Sequence, residues 1–175
     1  SVSGDQFQAA IGQPGEQVET INGKGQLFSA LIESVQKDSI FLSEVTLQQE
    51  IFSNPNKLSI AIAPTKNPSR LEWFLEKATE IGIDQIFPII TSRTEKTSIK
   101  QDRLENIILA AVKQSRQLFK PTLHPIQSLE QAFPNFQINT FSNLFIAHCE
   151  NERPSFLGNL YSKNSTAIIL IGLEG

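Results

Sequence analysis

The middle of the chain contains an apolar run, a helix-periodic stretch and a second apolar run in direct succession. Residues 58–63 are typical of a strand that is buried on both faces. Apolar residues then recur at helical spacing over 71–81, and Gly82 is a typical residue at which a helix ends. Residues 83–90 indicate a second strand, in which Pro88 predicts the strand end or a sheet edge. This order predicts two parallel strands joined by a helical crossover.

The same alternation continues to the end of the sequence. A second helix is predicted over 101–118, and Ser128 with Gln131 forms a capping-box pattern that predicts a short third helix. Two further strands are predicted over 144–149 and 166–171. Strands that alternate with helices in this way predict an α/β fold with a mostly parallel sheet.

The predicted first helix carries three features that bear on stability. Ser69 is its expected N-cap. Lys77 and Glu80 lie three residues apart on one face, which favours a local ion pair over a catalytic role. Trp73 is expected to pack against its neighbours, with base stacking as the alternative.

The first 50 residues have a sequence pattern that differs from that of the rest of the chain. Asn22-Gly23 lies between two extended runs, and this pair is the strongest short hairpin signal because both residues tolerate positive φ. Further runs up to residue 47 predict a small antiparallel sheet or barrel. We therefore predict two domains, a β module at 1–50 and an α/β domain at 57–175.

Composition limits the compartment and the class of protein. The 175 residues are 39% hydrophobic and 19% charged, which argues against a disordered chain. No apolar run approaches the roughly 20 residues needed to cross a bilayer. The single cysteine, Cys149, fits a reducing compartment, so we expect a cytoplasmic location. The lack of methionine, and the end of the chain just after a strand, predict a fragment of a longer protein.

Positive charge is concentrated in one stretch of an otherwise acidic chain. Residues 93–120 hold seven Lys/Arg against three Asp/Glu, a balance of +4, whereas the whole chain has a net charge of −3. Such a run is either a solvated helix face or a surface that contacts phosphates. Charge alone does not decide between the two.

Several kinds of active site are excluded or disfavoured. His148, Cys149 and Glu150 are consecutive strand residues, whose side chains alternate between faces, so they neither chelate one metal ion nor form a nucleophilic dyad. The chain has no dinucleotide-binding or P-loop glycine motif. The remaining candidate is the set of strand carboxyl ends, where ligands bind in open parallel sheets. Gly172 and Gly175 follow one of these ends, although an ordinary strand-to-helix turn would also explain them.

Residues 66–82 contain a Lys, a Trp within a helix and then Lys-Ala-Thr-Glu-Ile-Gly. This block and several others in the same order resemble the RsmE family of 16S ribosomal RNA uracil-N3 methyltransferases, which belong to the SPOUT class. The turn at 22–25 resembles the N-terminal PUA-like module of the family. The other matching blocks are residues 89–93, 110–116, 145–150 and 171–175.

The resemblance implies a PUA-like β-barrel followed by a SPOUT-type α/β domain, with the knot segment absent from this chain. It implies S-adenosyl-L-methionine as methyl donor, 16S rRNA or the small ribosomal subunit as substrate, no metal, no membrane, and a homodimer. Arg93 is the implied catalytic contact to the substrate nucleotide, and an ion pair with Glu95 or another acid is its alternative explanation. The implied donor-binding residues are His148, Cys149, Glu150, Gly172, Leu173, Glu174 and Gly175. The implied RNA-binding residues are Lys66, Arg70, Arg93, Lys113, Gln114 and Arg116.

The sequence departs from the family pattern at two positions. Leu173 stands where the family usually has Pro, and Arg116 follows Ser115 directly, where the family often has a Gly between them. Two other functions stay open at this point. One is a non-catalytic RNA-binding protein with the same two domains, and the other is an unrelated α/β nucleotide-binding enzyme.

Overall fold

The computed structural model describes residues 12–54, 58–94, 96–136, 141–147, 157–162 and 165–172. The chain divides into two compact units, Ser1–Ser53 and Asn54–Gly175. That the first unit is a PUA-like module, and that the domains have the predicted limits, stay predictions.

The first unit contains an antiparallel three-stranded sheet in the order β1-β2-β3. Its strands are β1 (Gln17–Ile21), β2 (Gln26–Gln36) and β3 (Ser39–Glu50). The predicted hairpin is confirmed, because the Asn22 side-chain oxygen accepts hydrogen bonds from the backbone amides of Lys24 and Gln26, at 2.8 and 3.2 Å. Gly23 has a φ of 69°, which glycine adopts at no steric cost.

The second unit contains a parallel sheet of six strands in the order β6-β5-β4-β9-β8, with β7 paired to β5. The predicted α/β fold with a mostly parallel sheet is therefore confirmed. In chain order its elements are β4 (Leu58–Ile62), α1 (Pro68–Ile81), β5 (Gln85–Ile90), α2 (Gln101–Ser115), β6 (Thr122–Leu123), β7 (Gln127–Ser128), α3 (Leu129–Ala132), a 3₁₀ helix (Phe133–Phe136), β8 (Asn143–Ala147), α4 (Leu157–Leu160) and β9 (Ala167–Ile171).

One face of this sheet forms the centre of a hydrophobic core. Phe87 of β5 packs edge-on against Phe136 of the 3₁₀ helix, with ring centroids 5.1 Å apart. The other buried members of this cluster are Ala61, Ala63, Ile89, Ala132, Phe141 and Ile168. Successive strand residues alternate between faces, and Ile60 and Ile86, which neighbour cluster residues, are buried as well. The central strands are thus buried on both faces, as their apolar runs predicted.

The start of α1 differs from the prediction. Asn67, not Ser69, is the N-cap, and its side-chain oxygen accepts the backbone amide of Ser69 at 3.0 Å. Pro68 occupies the first helical position, where its fixed φ suits the helix and its missing N–H costs nothing. The predicted end is confirmed, since Gly82 has a φ of 92° and its amide donates to Ala78 and Thr79.

Pro88 lies inside the sheet, so the prediction of a sheet edge at this residue was wrong. On one side it is aligned with Ile62 of β4. On the other side, β6 pairs only with Gln85 and Ile86, and β7 only with Ile89 and Ile90. Pro88 therefore falls in the gap between two short partner strands, where a residue without an N–H is tolerated.

We expect Asn67→Ala to destabilise the second unit by about 1 kcal/mol, since it removes the N-cap acceptor of α1. Denaturant unfolding followed by tryptophan fluorescence measures this, because the only tryptophan, Trp73, lies in α1. Ser69→Ala is the matched control and should change the unfolding free energy by less than about 0.5 kcal/mol. Equal losses in both variants would contradict the assignment of Asn67 as the cap.

Candidate functional site

The carboxyl ends of three strands lie side by side and define what we call the carboxyl edge of the sheet. In the parallel register, Ile171 at the end of β9 is aligned with both Ile62 of β4 and Ala147 of β8. The contact continues past the strands, because the Ala63 amide donates to the Ile171 carbonyl at 3.0 Å. Gly172 directly follows Ile171 in the chain. The structure therefore brings the end of β4 beside strand ends that are more than 80 residues away in the sequence.

Of the seven residues expected to bind the donor, Gly172 alone falls in the described part of the chain. His148, Cys149, Glu150, Leu173, Glu174 and Gly175 lie outside the described residues. Gly172 is partly exposed, and among the described residues no heavy atom lies within 4 Å of the position that a Cβ would take there, its chain neighbours aside. Among the described residues, nothing therefore blocks a ligand from this position.

A cleft of about 400 Å³ lies beside the end of β4. Its lining is mostly apolar and comes from β4, the following loop and the first turns of α1: Ile62, Ala63, Thr65, Ser69, Arg70, Leu71, Trp73 and Phe74. Trp73 is 64% exposed, so the expectation that it packs into the protein was wrong. An exposed tryptophan beside an apolar cleft is typical of a protein-binding or ligand-binding surface.

Lys66 and Arg70 lie at the junction between β4 and α1 and are both exposed. The loop there is closed locally, since the Thr65 hydroxyl donates to the Asn67 carbonyl at 2.9 Å and Asn67 caps the helix. This fixes the backbone of Lys66 close to the end of β4. The structure thus places two of the predicted RNA-binding cations near the carboxyl edge.

Arg93 lies in the turn that follows β5. The turn runs from Thr91 to Thr94, with the Thr94 amide donating to the Thr91 carbonyl at 3.0 Å. Arg93 is exposed at its tip. Glu95, the acid proposed as an alternative partner, lies outside the described residues, so both explanations for Arg93 remain.

Lys113, Gln114 and Arg116 lie at the C-terminal end of α2. Gln114 and Arg116 are exposed, whereas Lys113 is partly buried, and this burial lowers the pKa of its ammonium group. Arg116 adopts a left-handed conformation with φ 55° and ψ 32°. Arginine thus occupies the left-handed position at the helix end that glycine usually takes. The Gly that the family often has after Ser115 would fall at this same position.

The basic stretch is partly neutralised in three dimensions. Arg103 forms a two-pronged ion pair with Glu72 of α1, at 2.8 and 2.9 Å. Lys120 pairs with Glu105 at 2.6 Å. Arg103 and Lys120, both counted in the basic stretch, therefore serve contacts within the unit. The prediction of a pair between Lys77 and Glu80 is confirmed at 3.0 Å.

His124 has a structural role that the sequence did not indicate. Its ring stacks on Phe87 with centroids 4.0 Å apart and an angle of 8° between the planes. Its Nε2 lies 3.0 Å from the side-chain oxygen of Gln85, and burial lowers the pKa of the imidazole. Within the described residues, no group of three His, Cys, Asp or Glu could hold a metal ion. Nor does any helix in those segments have the length and apolarity to cross a membrane.

Residues 52–175 match the RNA methyltransferase domain family, and the chain belongs to that family. Over 173 residues it is 25% identical to Ribosomal RNA small subunit methyltransferase E of Bacillus subtilis, which covers 92% of this chain. This confirms the resemblance to the RsmE family drawn from the sequence blocks. The chain spans 66% of the length of that relative, which is just under two thirds.

Solved structures agree with this assignment. A probable rRNA-methyltransferase from Porphyromonas gingivalis superposes with a TM-score of 0.75 at 32% identity, over 93% of this chain and 68% of that one. A Legionella pneumophila protein solved in complex with the cofactor SAM superposes with a TM-score of 0.69 at 25% identity, over 91% and 65% of the two chains.

Proposed function

We propose that the protein transfers a methyl group from S-adenosyl-L-methionine to N3 of a uridine in 16S ribosomal RNA. The observation that carries this proposal is the alignment of β4, β8 and β9, whose carboxyl ends meet at Gly172 in a chain of the RNA methyltransferase domain family. The relatives support the substrate class, since the Bacillus subtilis protein is named as a small-subunit rRNA methyltransferase. A ribosomal RNA substrate also supports our proposal of a cytoplasmic location.

The described part of the carboxyl edge fits a methyl donor of this kind. Adenosine offers ring nitrogens and hydroxyls that backbone N–H and C=O groups can bind, and the backbone of Gly172 is open to a ligand. We propose that Gly172 acts together with His148, Cys149, Glu150, Leu173, Glu174 and Gly175. When bound, S-adenosyl-L-methionine supplies a methyl group activated by its positive sulfur. The role of the protein is then to align the acceptor, which contributes up to about 7–11 kcal/mol in well-oriented reactions.

Arg93 is our proposed catalytic residue. A uridine N3 releases its proton to water when it accepts a methyl group, and negative charge develops on the adjacent carbonyl oxygens of the base. A guanidinium keeps its charge at all relevant pH values and can donate a hydrogen bond to one of these oxygens. The exposed position of Arg93, on the turn after a central strand, suits this role.

The proposed RNA surface combines Lys66 and Arg70 with Lys113, Gln114 and Arg116. These residues belong to the second unit. The described part of the first unit, residues 12–53, contains six Asp/Glu and two Lys, a balance of −4. That charge repels phosphates, so we assign the main phosphate contacts to the second unit.

We propose in addition that the protein is a homodimer and that α1 forms part of its interface. Trp73 and Ile81 of this helix are 64% and 72% exposed. Large exposed apolar side chains on a stable helix are typical of an interface. A second copy of the chain would remove these two side chains from water.

We expect the protein to bind S-adenosyl-L-methionine in calorimetry and to transfer a labelled methyl group to 16S rRNA. Gly172→Val should weaken donor binding about tenfold or more, because its side chain would occupy space that the ligand needs. Gly158→Val in α4 is the matched control, since an added Cβ likewise meets nothing within 4 Å there. Failure of the wild-type protein to bind the donor would refute the proposal. Donor binding with no transfer to any rRNA would favour the non-catalytic alternative.

We expect Arg116→Gly to have opposite effects on stability and on RNA affinity. Glycine relieves the left-handed conformation and should stabilise the fold by about 1 kcal/mol, while loss of a phosphate contact should lower the salt slope of RNA binding by about 1. Arg116→Ala is the comparison, because it loses the same charge but keeps the backbone strain. Denaturant unfolding and RNA titrations at several salt concentrations provide both values. If neither variant changes RNA affinity, Arg116 does not belong to the surface.

We expect Trp73→Glu to convert the dimer into a monomer, because a carboxylate would be buried without a partner in the interface. Sedimentation velocity gives the mass of each species. Phe52→Glu is the control, since Phe52 is 92% exposed and lies in the other unit. A monomeric wild-type protein, or a Trp73→Glu variant that still dimerises, would overturn this proposal.

A further inference from the structure

The turn after β5 is closed by its two threonine side chains as well as by its backbone. The hydroxyl oxygen of Thr94 accepts the backbone amide of Thr91 at 2.8 Å. The same oxygen lies 2.9 Å from the hydroxyl oxygen of Thr91. Together with the bond from the Thr94 amide to the Thr91 carbonyl, three contacts join the two ends of a four-residue turn.

The base of this turn is held by the sheet, whereas its tip is exposed. Ile89 and Ile90 pair with Gln127 and Ser128 of β7, directly before Thr91. Thr91 and Thr94 are both partly buried, while the two residues between them, Ser92 and Arg93, are exposed. The threonine contacts therefore connect a strand end that is paired with β7 to the backbone that carries Arg93.

We propose that Thr94 is a positioning residue, whose hydroxyl holds the turn in the shape that presents Arg93 to the substrate nucleotide. The inference rests on the proposed function and adds to it the group that orders the catalytic side chain. Without the Thr94 hydroxyl, the Thr91 amide loses its acceptor and the closure of the turn depends on one backbone bond. The turn must then become ordered when RNA binds, and the entropy lost in that ordering reduces the affinity for RNA.

The threonine residue type suits this role. Its hydroxyl accepts from an N–H and exchanges a hydrogen bond with a second hydroxyl at the same time, and its β-branched side chain has few rotamers. Serine keeps the hydroxyl, whereas valine keeps the shape of the side chain and removes the hydroxyl. Thr94→Ser and Thr94→Val therefore separate the hydrogen bonds from the packing.

The test is a double-mutant cycle between Thr94 and Arg93, measured as 16S rRNA affinity and as kcat/KM for methyl transfer. We expect Thr94→Val to lower both values about three- to tenfold, and Thr94→Ser to restore them to within about twofold. In the background of Arg93→Ala, Thr94→Val should cause no further loss of affinity or of kcat/KM, because Thr94 acts through Arg93. Thr122→Val, a change at an exposed threonine of β6, is the matched control and should behave like the wild-type protein.

Amide hydrogen exchange at Thr91 gives a readout that does not depend on RNA. Exchange should be slow in the wild-type protein and in Thr94→Ser, and faster in Thr94→Val. An equal loss from Thr94→Val with and without Arg93 would show a general effect on the fold and overturn the inference. Wild-type affinity in Thr94→Val would overturn it as well. A wild-type protein that binds neither donor nor RNA would instead refute the proposed function, and the positioning role would fall with it.

Discussion

Parallel pairing of β4 with β9 is the constraint on which the rest of the second unit depends. The five aligned residue pairs between these strands, from Leu58 with Ala167 to Ile62 with Ile171, set the register of the whole carboxyl edge. A slip of one residue would reverse the faces of an entire strand and remove Ile168, which is fully buried, from the core cluster in which it packs. Burial of Ala167 and Ile168 at the start of β9 therefore fixes the position of Gly172, which follows the end of the same strand. The position of the proposed donor site depends on this burial.

Local conformations at the ends of helices and strands then place the functional side chains. Asn67 caps α1 and closes the loop that carries Lys66, and the Thr91–Thr94 turn carries Arg93. Arg116 occupies a left-handed position at the end of α2. The Gln117 side chain next to it donates to the Glu80 carbonyl at 2.9 Å and connects the ends of α2 and α1. The cap, the turn and the helix end involve only a few neighbouring residues each, and the paired strands of the sheet set where they lie.

The number of positive residues in a stretch of sequence does not by itself predict a binding surface. The seven cations of residues 93–120 predict one basic stretch, yet Arg103 and Lys120 pair with Glu72 and Glu105. Glu72 lies on another helix, so this neutralisation cannot be read from local composition. Trp73 is a second case. It was expected to pack against its neighbours and not to stack on a base, but it lies 64% exposed, whereas Leu71 and Leu75 of the same helix are buried.

The sequence by itself determined the order of the longer strands and helices, the Asn22-Gly23 hairpin, the end of α1 at Gly82 and the family. These features depend on side-chain periodicity and on backbone preferences of single residues, which act over a few positions. Tertiary structure alone decided that β9 pairs between β4 and β8, that Pro88 fits a gap between β6 and β7, and that His124 stacks on Phe87. Such contacts join residues far apart in the chain, and their energy comes from burial of a shared core, which no local pattern records.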